Sequence, residues 1–211
     1  MIPDSEWTPN GSTIAYPLLL ADGKTRNIDV RKRLKDQLSE IGYSAGEVTY
    51  IALSHYHYDH TANANDFARS TWLVRQNEHD AMFAEPAAGR TRLVTYAALK
   101  YAKTTIIKTE DYDVFGDGAV VIRAAPGHTP GHQMLLITLA HSGRILLSGD
   151  IYHYPEERTL DRVPTFEFNP DQTRASRKAI EEFLKASGTQ LWIQHDNRAI
   201  TSLKHSPEYY D

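Results

Sequence analysis

The sequence SHYHYDH, residues 54–60, places four potential metal ligands within six positions, directly after the apolar run of residues 48–53. His55 and His57 are two residues apart and project to the same side of an extended chain, and Asp59 and His60 follow as the chain curls back. Three imidazoles and a carboxylate beside a buried strand would repel one another on protonation and lose solvation unless a cation organised them. With ligands arriving from elsewhere, this set is too large for one tetrahedral zinc. The stretch therefore indicates two metal ions.

Three further polar clusters occur downstream, and each follows a predicted strand. They contain His128 and His132 in GHTPGH (127–132), Asp150 in SGD (148–150) and His195 in QHD (194–196). The carboxyl edge of an open α/β sheet is where ligands bind, so these side chains are expected to gather near the first cluster. Isolated histidines elsewhere are interpreted as surface residues: His79, His141 and His205.

The composition limits the function classes. The chain has 211 residues, a net charge of −4 and no cysteine, so a metal must be held by His, Asp or Glu. No basic run supports nucleic-acid binding. No window approaches the ~20 apolar residues of a membrane span, and the first residues do not form a secretory signal. We expect one domain over residues 1–211, located in the cytoplasm, with a small-molecule substrate.

Hydrophobic periodicity predicts a mixed sheet layered with helices, an α+β arrangement. The first 28 residues, rich in Pro and Asn-Gly or Asp-Gly pairs, are predicted to be irregular and to pad a core or line a pocket. The run at 48–53 is predicted to be a strand buried on both faces. The other predicted helices are 29–41, 78–83, 93–102 and 171–186, and the other predicted strands are 72–74, 119–124, 134–139, 144–147 and 191–193.

These motifs, in this order over residues 48–196, resemble the metallo-β-lactamase superfamily, and within it the dinuclear zinc N-acyl-homoserine lactonases. The stretch VPTFEFNP (163–170) before the last long helix is also similar to that branch. The resemblance implies a layered αββα sandwich of mixed sheets with outer helices. It also implies a hydrolase that opens a lactone ring with a metal-activated hydroxide.

Carried over by position, the resemblance implies two zinc sites. His55, His57 and His128 would hold one ion, Asp59, His60 and His195 the other, and Asp150 would bridge them. His132 would be a buried support. Asp59 would pass a proton to the leaving oxygen, and one of Tyr152, His153 and Tyr154 would contact the substrate carbonyl. Iron, cobalt and manganese are alternative metals.

The sequence departs from the superfamily pattern in its first segment, and several other functions fit the same motifs. The superfamily normally has several strands before the segment seen here, and without them we expect an exposed sheet edge that pairs with another chain, for example in a homodimer. Large apolar residues of the first segment are candidate acyl contacts: Trp7, Tyr16 and Leu18 to Leu20. The alternatives are a glyoxalase II-like thioesterase, a phosphotriesterase-like esterase, a β-lactamase, a nuclease of the same fold, and an inactive metal-binding remnant.

Overall fold

The computed structural model describes the backbone of residues 8–10, 13–19 and 25–30, and backbone with side chains for residues 32–86 and 91–211. Three sheets and six α-helices are present in these ranges. Two of the sheets carry the candidate ligands on the loops that follow their strands. The remaining sheet, described first, is formed by the N-terminal residues.

The N-terminal part forms an antiparallel sheet of β1 (Thr8–Asn10), β2 (Thr13–Leu19) and β3 (Thr25–Val30), where we expected an irregular segment. Pro17 suggested a loop because proline cannot donate to a strand ladder. Among the described residues, β1 pairs with residues 13–15 of β2, and Pro17 has a strand partner on the β3 side alone. The candidate acyl contacts of this segment, Trp7, Tyr16 and Leu18 to Leu20, lie outside the described side chains.

The second sheet is parallel, in the order β4 (Tyr50–Ile51), β5 (Thr71–Arg75), β6 (Thr104–Ile107). The centre of β5 is buried, as its apolar run predicted. The prediction for residues 48–53 was wrong in length and burial, because β4 is a two-residue edge strand and Tyr50 is 40% exposed. Its pairing with β5 alone leaves one side without a strand neighbour among the described residues.

The third sheet has the order β11-β10-β9-β8-β7. Both β8 and β10 are antiparallel to β9, and β11 is parallel to β10, so β8, β10 and β11 run in one direction. Their carboxyl ends therefore lie at the same edge, as the sequence predicted for the three downstream clusters. The strands span Asp111–Asp113 (β7), Val120–Ala124 (β8), Gln133–Leu139 (β9), Gly143–Leu147 (β10) and Gln190–Trp192 (β11).

The helices are mostly short and lie outside the sheets. The long one is α5, which Asn169 caps by accepting from two backbone amides and which ends at Gly188 with φ of 67°. The predicted helix at 93–102 is instead two 3₁₀ turns, Leu93–Thr95 and Ala97–Tyr101. The α-helices are Leu34–Glu40 (α1), Tyr58–Thr61 (α2), Gln76–Met82 (α3), Pro155–Thr159 (α4), Pro170–Ser187 (α5) and Asn197–Ser202 (α6). None of the described helices is both long enough and apolar enough to cross a membrane.

Three apolar clusters define the layers. Ile180 and Leu184 of α5 pack on the third sheet through Leu136 and Leu146. A second cluster around Trp72 fills the space between the second sheet and its helices. The third cluster joins the two sheets, with Leu73 and Ile107 contributed by the second sheet and Ile122 by the third. The resulting sandwich of two sheets with outer helices confirms the predicted fold class.

Candidate metal centre

The loop after β4 and the helix α2 that follows it carry four of the predicted ligands. The side chains of His55 and His57 are buried, and α2 begins at Tyr58 and orients Asp59 and His60. The other three predicted ligands come from the edge of the third sheet: His128 follows β8, Asp150 follows β10 and His195 follows β11. The structure thus brings all seven together from two sheets.

The first group consists of His55, His57, His128 and Asp150, each of which offers one ligand atom within 4.8 Å of the others. The Nε2 atoms of His55 and His128 each lie 2.9 Å from Nδ1 of His57. A single proton on that Nδ1 can satisfy only one of the two contacts. Nitrogen lone pairs must therefore face one another across the group unless a cation lies between them.

Neighbouring groups fix the orientation of these rings. Nδ1 of His128 lies 2.7 Å from Oε1 of Glu167, and both side chains are fully buried. A proton on Nδ1 donated to this carboxylate leaves the lone pair on Nε2, which points into the group. Ser54 Oγ lies 3.1 Å from Nδ1 of both His55 and His60, and its two lone pairs allow it to accept from both rings.

The second group consists of Asp59, His60, Asp150 and His195. Nε2 of His60 and Nε2 of His195 lie 3.3 Å apart, and each is 3.6 Å from Oδ2 of Asp59. This group is more open than the first, because the side chains of Asp59 and His195 are 32% and 36% exposed. The mouth of the site therefore lies on the side of the second group.

Asp150 belongs to both groups through different oxygens. Its Oδ2 is 3.7 Å from Nε2 of both His55 and His128, whereas its Oδ1 is 3.1 Å from Nε2 of His60 and 3.2 Å from Nε2 of His195. Oδ1 is buried and makes no hydrogen bond among the described residues. A carboxylate with one oxygen toward each group has the geometry of a bridge between two cations.

The electrostatics of the site favour positive charge at its centre. Burial alone would raise the pKa of Asp150, but the imidazoles of His153, His195 and His60 hold that pKa far below its usual range. Burial lowers the pKa of His55 well below its ordinary value, so this imidazole is neutral and can ligate. The Asp150 carboxylate, in turn, raises the pKa of His195. The donor set therefore fits divalent metal ions that prefer nitrogen and carboxylate ligands.

His132 is buried and supports the backbone at Asp150. Its Nε2 accepts a hydrogen bond from the backbone N–H of Asp150 at 2.9 Å, so it holds Asp150 without joining either group. Burial lowers its pKa to about 3, which keeps it neutral. Gly149 makes this contact feasible, because a Cβ there would lie 2.5 Å from Nε2 of His132.

Two buried carboxylates that support the site were missed from the sequence. Glu167 lies in the stretch VPTFEFNP (163–170), and its contact with His128 spans 39 residues. Glu78 stood unremarked in a predicted helix. It accepts hydrogen bonds from the Tyr56 N–H at 2.7 Å, the Gly131 N–H at 2.8 Å and the Thr129 hydroxyl at 2.8 Å. Glu78 thus joins the two loops that carry His55, His57 and His128. No sequence signal identifies Glu78, because a single acid in an amphipathic helix is ordinarily exposed.

Tyr152, His153 and Tyr154, the three candidates for contact with the substrate carbonyl, occupy different positions relative to the two ligand groups. Tyr152 lies in the core and donates its hydroxyl hydrogen bond to Glu181, so its hydroxyl is engaged away from the two ligand groups. Tyr154 is exposed at the start of α4. His153 lies against the site, with Nε2 3.3 Å from Oδ2 of Asp150 and its ring stacked on that of His195 at 5.6 Å.

The isolated histidines lie outside both groups. His79 packs against the ring of Trp72 at 5.5 Å, and His141 is paired with Asp211 on the surface. His205 is exposed. None of them contributes an atom to a ligand group in the described part of the chain.

Comparisons with known proteins agree with this geometry. The sequence model of the metallo-beta-lactamase superfamily matches residues 16–189. The N-acyl homoserine lactonase AiiA of Bacillus thuringiensis subsp. kurstaki is 31% identical over 177 residues, which are 84% of this chain and 67% of AiiA. A solved N-acyl homoserine lactone hydrolase with the product N-hexanoyl-L-homoserine at its catalytic metal centre has a TM-score of 0.75 at 28% identity, over 88% of this chain and 72% of that one. A variant of AiiA from B. thuringiensis with N-decanoyl-L-homoserine at its active site has the same TM-score, identity and coverage.

Proposed function

The chain belongs to the metallo-beta-lactamase superfamily, and from this premise we propose that it is a metal-dependent hydrolase that opens the lactone ring of N-acyl homoserine lactones. One observation carries the proposal: Asp150 directs one carboxylate oxygen to each of two groups of histidines. The relatives that share this fold and about 30% of the sequence are N-acyl homoserine lactonases.

The proposed ligand set is the one predicted from the sequence. His55, His57 and His128 would hold one ion, with Asp59, His60 and His195 holding a second and Asp150 shared. A pair of divalent ions supplies hydroxide at neutral pH, polarises the carbonyl and stabilises the departing alkoxide. We propose zinc, because a nitrogen-rich set with carboxylates and no thiolate suits it, and iron, cobalt or manganese are the alternatives.

Protein groups at the mouth would orient the substrate and return the proton. The oxygen of water forms the new bond to the carbonyl carbon, the ring C–O bond breaks, and the leaving oxygen takes up a proton. Asp59 is the proposed carrier of that proton, because its half-exposed carboxylate lies at the open side of the site. His153, which lies against Asp150, is the proposed contact for the carbonyl or acyl amide.

A thioesterase of the glyoxalase II kind is the alternative with the same ligand pattern. The relatives of about 30% identity named above are N-acyl homoserine lactonases, which favours the lactonase.

The deciding experiment measures metal content and turnover on the same preparation. We expect about two equivalents of divalent metal and proton release, read with a pH indicator, from N-hexanoyl homoserine lactone but not from a glutathione thioester. His57→Ala should abolish turnover and lower metal content, whereas His141→Ala should change neither. Faster hydrolysis of the thioester would reject the lactonase assignment. Sedimentation and cell fractionation of the same protein test the proposed homodimer and cytoplasmic location.

A further inference from the structure

We infer that Glu157 of α4 is a positioning residue for the reaction, because it holds the ring of His153 with Nε2 toward the candidate metal centre. The inference rests on the proposed function, in which His153 contacts the substrate. Glu157 itself belongs to neither ligand group, so it would act through His153. The observation behind the inference is a line of contacts that runs from the buried Arg177 through Glu157 to His153.

Glu157 contacts both the backbone and the ring of His153. Oε2 of Glu157 accepts a hydrogen bond from the backbone N–H of His153 at 3.2 Å, and Oε1 lies 3.3 Å from Nδ1 of the ring. Nδ1 is buried and receives no hydrogen bond of full geometry from the described residues, which leaves the ion pair with Glu157 as its polar contact. A carboxylate beside Nδ1 favours a proton on that nitrogen and so fixes the edge of the ring that faces Glu157.

Packing fixes the plane of the His153 ring but not the edge that the ring presents. The ring stacks on that of His195, with 5.6 Å between centroids and 26° between planes, and the ring of Phe166 meets it edge-on at 5.5 Å. A half-turn about the Cβ–Cγ bond would keep both contacts and exchange Nδ1 with Cδ2 and Nε2 with Cε1. Glu157 selects between the two orientations, because its carboxylate is stabilised by an N–H. In the selected orientation Nε2 lies 3.3 Å from Oδ2 of Asp150.

Glu157 is in turn held by a buried arginine. Its Oε2 accepts from Arg177 of α5 at 2.6 Å. Arg177 also donates from Nε to the carbonyl of Ile151 at 2.7 Å and from Nη1 to the carbonyl of Arg162. The planar fork of arginine suits such a three-point anchor. Burial alone would raise the pKa of Glu157, but His153 and Arg177 hold that pKa below its usual value, so the side chain is a carboxylate.

An oriented ring nitrogen matters most where charge develops during the reaction. As the lactone ring opens, the carbonyl oxygen gains negative charge, and a group that is already in place stabilises this charge without reorganisation. The contact of Nε2 with that oxygen would therefore be stronger in the transition state than in the bound substrate. Loss of the orientation should lower kcat more than it raises KM.

Kinetics of single and double variants test whether Glu157 acts through His153. In the metal-loaded protein, Glu157→Ala should lower kcat for N-hexanoyl homoserine lactone about 10- to 100-fold and change KM less than about threefold. In a His153→Ala background the same substitution should change kcat less than about twofold, because the ring that it orients is absent.

Arg158→Ala is the matched control for loosening of α4. Arg158 also ties α4 to α5, through two hydrogen bonds to Glu181 at 2.8 Å, and it contacts Glu181 and Tyr152 rather than His153. Its replacement should therefore leave kcat within about twofold of the wild type.

Nitrogen-15 spectra of histidine-labelled, zinc-loaded protein test the contact without turnover. The Nδ1 signal of His153, identified by its absence in His153→Ala, should report a bound proton in the wild type. Glu157→Gln keeps an oxygen for Arg177 and turns its amide N–H toward Nδ1, so this signal should move to the range of an unprotonated nitrogen. The metal content should stay at the wild-type value.

A wild type that turns over no lactone would reject the proposed function, and the spectra would still decide whether Glu157 holds the ring. The inference is overturned if the Nδ1 signal is the same in Glu157→Gln and the wild type. It is also overturned if Arg158→Ala lowers kcat as much as Glu157→Ala does, or if Glu157→Ala has its full effect on kcat in the His153→Ala background.

Discussion

Glu78 offers the sharpest test of how the ligand loops are held. It is 2% exposed and accepts from the Tyr56 N–H, the Gly131 N–H and the Thr129 hydroxyl. Glu78→Ala leaves three buried donors without an acceptor. Each such donor costs ~1–3 kcal/mol, and partial entry of water lowers the sum, so we expect a loss of at least ~3 kcal/mol. Glu78→Gln keeps one oxygen but turns an amide toward the Gly131 N–H, so about one donor is lost, ~1–3 kcal/mol.

Urea unfolding of the metal-loaded protein measures this loss, and hydrogen exchange locates it. In Glu78→Gln the amides of Tyr56 and Gly131 should exchange faster while those of α5 keep their protection. Asp80→Ala on the same helix is the control, because the Asp80 side chain is 64% exposed, and its effect should stay within ~0.5 kcal/mol. Stability within 1 kcal/mol of wild type for Glu78→Ala, or unchanged exchange at both amides, would refute the linking role.

The pH dependence of unfolding stability in the wild type and in Glu78→Gln gives an independent check. Burial raises the pKa of Glu78 from 4.5 to about 7. Because the folded pKa is higher than the unfolded one, the contribution of the protonated carboxyl is fully present below pH 4.5 and is lost as the pH rises through 7. The advantage of the wild type over Glu78→Gln should therefore shrink as the pH rises from 4.5 through 7. Both proteins are compared after treatment with a chelator, so that release of metal at low pH does not enter the difference.

Three further perturbations follow from the site. Glu167→Ala leaves Nδ1 of His128 without its acceptor and should weaken metal affinity about 10- to 100-fold, while Glu167→Gln should lose less; competition with a chromophoric chelator measures both. Gly149→Ala forces a Cβ to 2.5 Å from Nε2 of His132 at a φ of 52°, so thermal unfolding should show a loss of more than ~2 kcal/mol together with reduced metal content. Removal of metal by a chelator should lower the melting temperature, and added zinc should restore it; an unchanged melting temperature would contradict a metal bound to the folded state.

Short-range patterns in the sequence predicted the candidate metal ligands better than they predicted the residues that support those ligands. Four ligands lie within six residues, and the other three each follow a strand, so position alone placed them at one edge. Glu78 and Glu167 act alone and over long separations, and a single carboxylate in a helix or a loop carries no pattern that marks it as buried. Tyr152 was a candidate because it stands near Asp150 in sequence. The hydroxyl of Tyr152 instead donates a hydrogen bond to Glu181 on α5, which is 29 residues away in the sequence.

The N-terminal strands were missed for a different reason. Proline and glycine pairs indicate turns, and local composition cannot distinguish an irregular segment from strands separated by turns. Residues 27–30 alternate between polar and apolar side chains, yet Val30 also fits the helical spacing toward Leu34. The pairing of β3 with β2 decides between the two patterns, and it is a tertiary property.

The proposed ligands come from two sheets, so the distance between those sheets controls the distance between the ligands. Gln133 at the start of β9 fixes that spacing beneath the cluster. Its backbone N–H donates to the carbonyl of Ser54 at 2.9 Å, and its side-chain amide donates to the carbonyls of Leu53 and Leu73 at 2.9 and 3.1 Å. Glu78 makes the corresponding link from the helix side. A bridging carboxylate requires both groups of histidines to keep their positions together, since Asp150 has one short side chain and two oxygens. We therefore attribute the buried polar contacts around this site to the need to hold two sheets in register, a role that apolar packing alone serves poorly because it has no preferred direction.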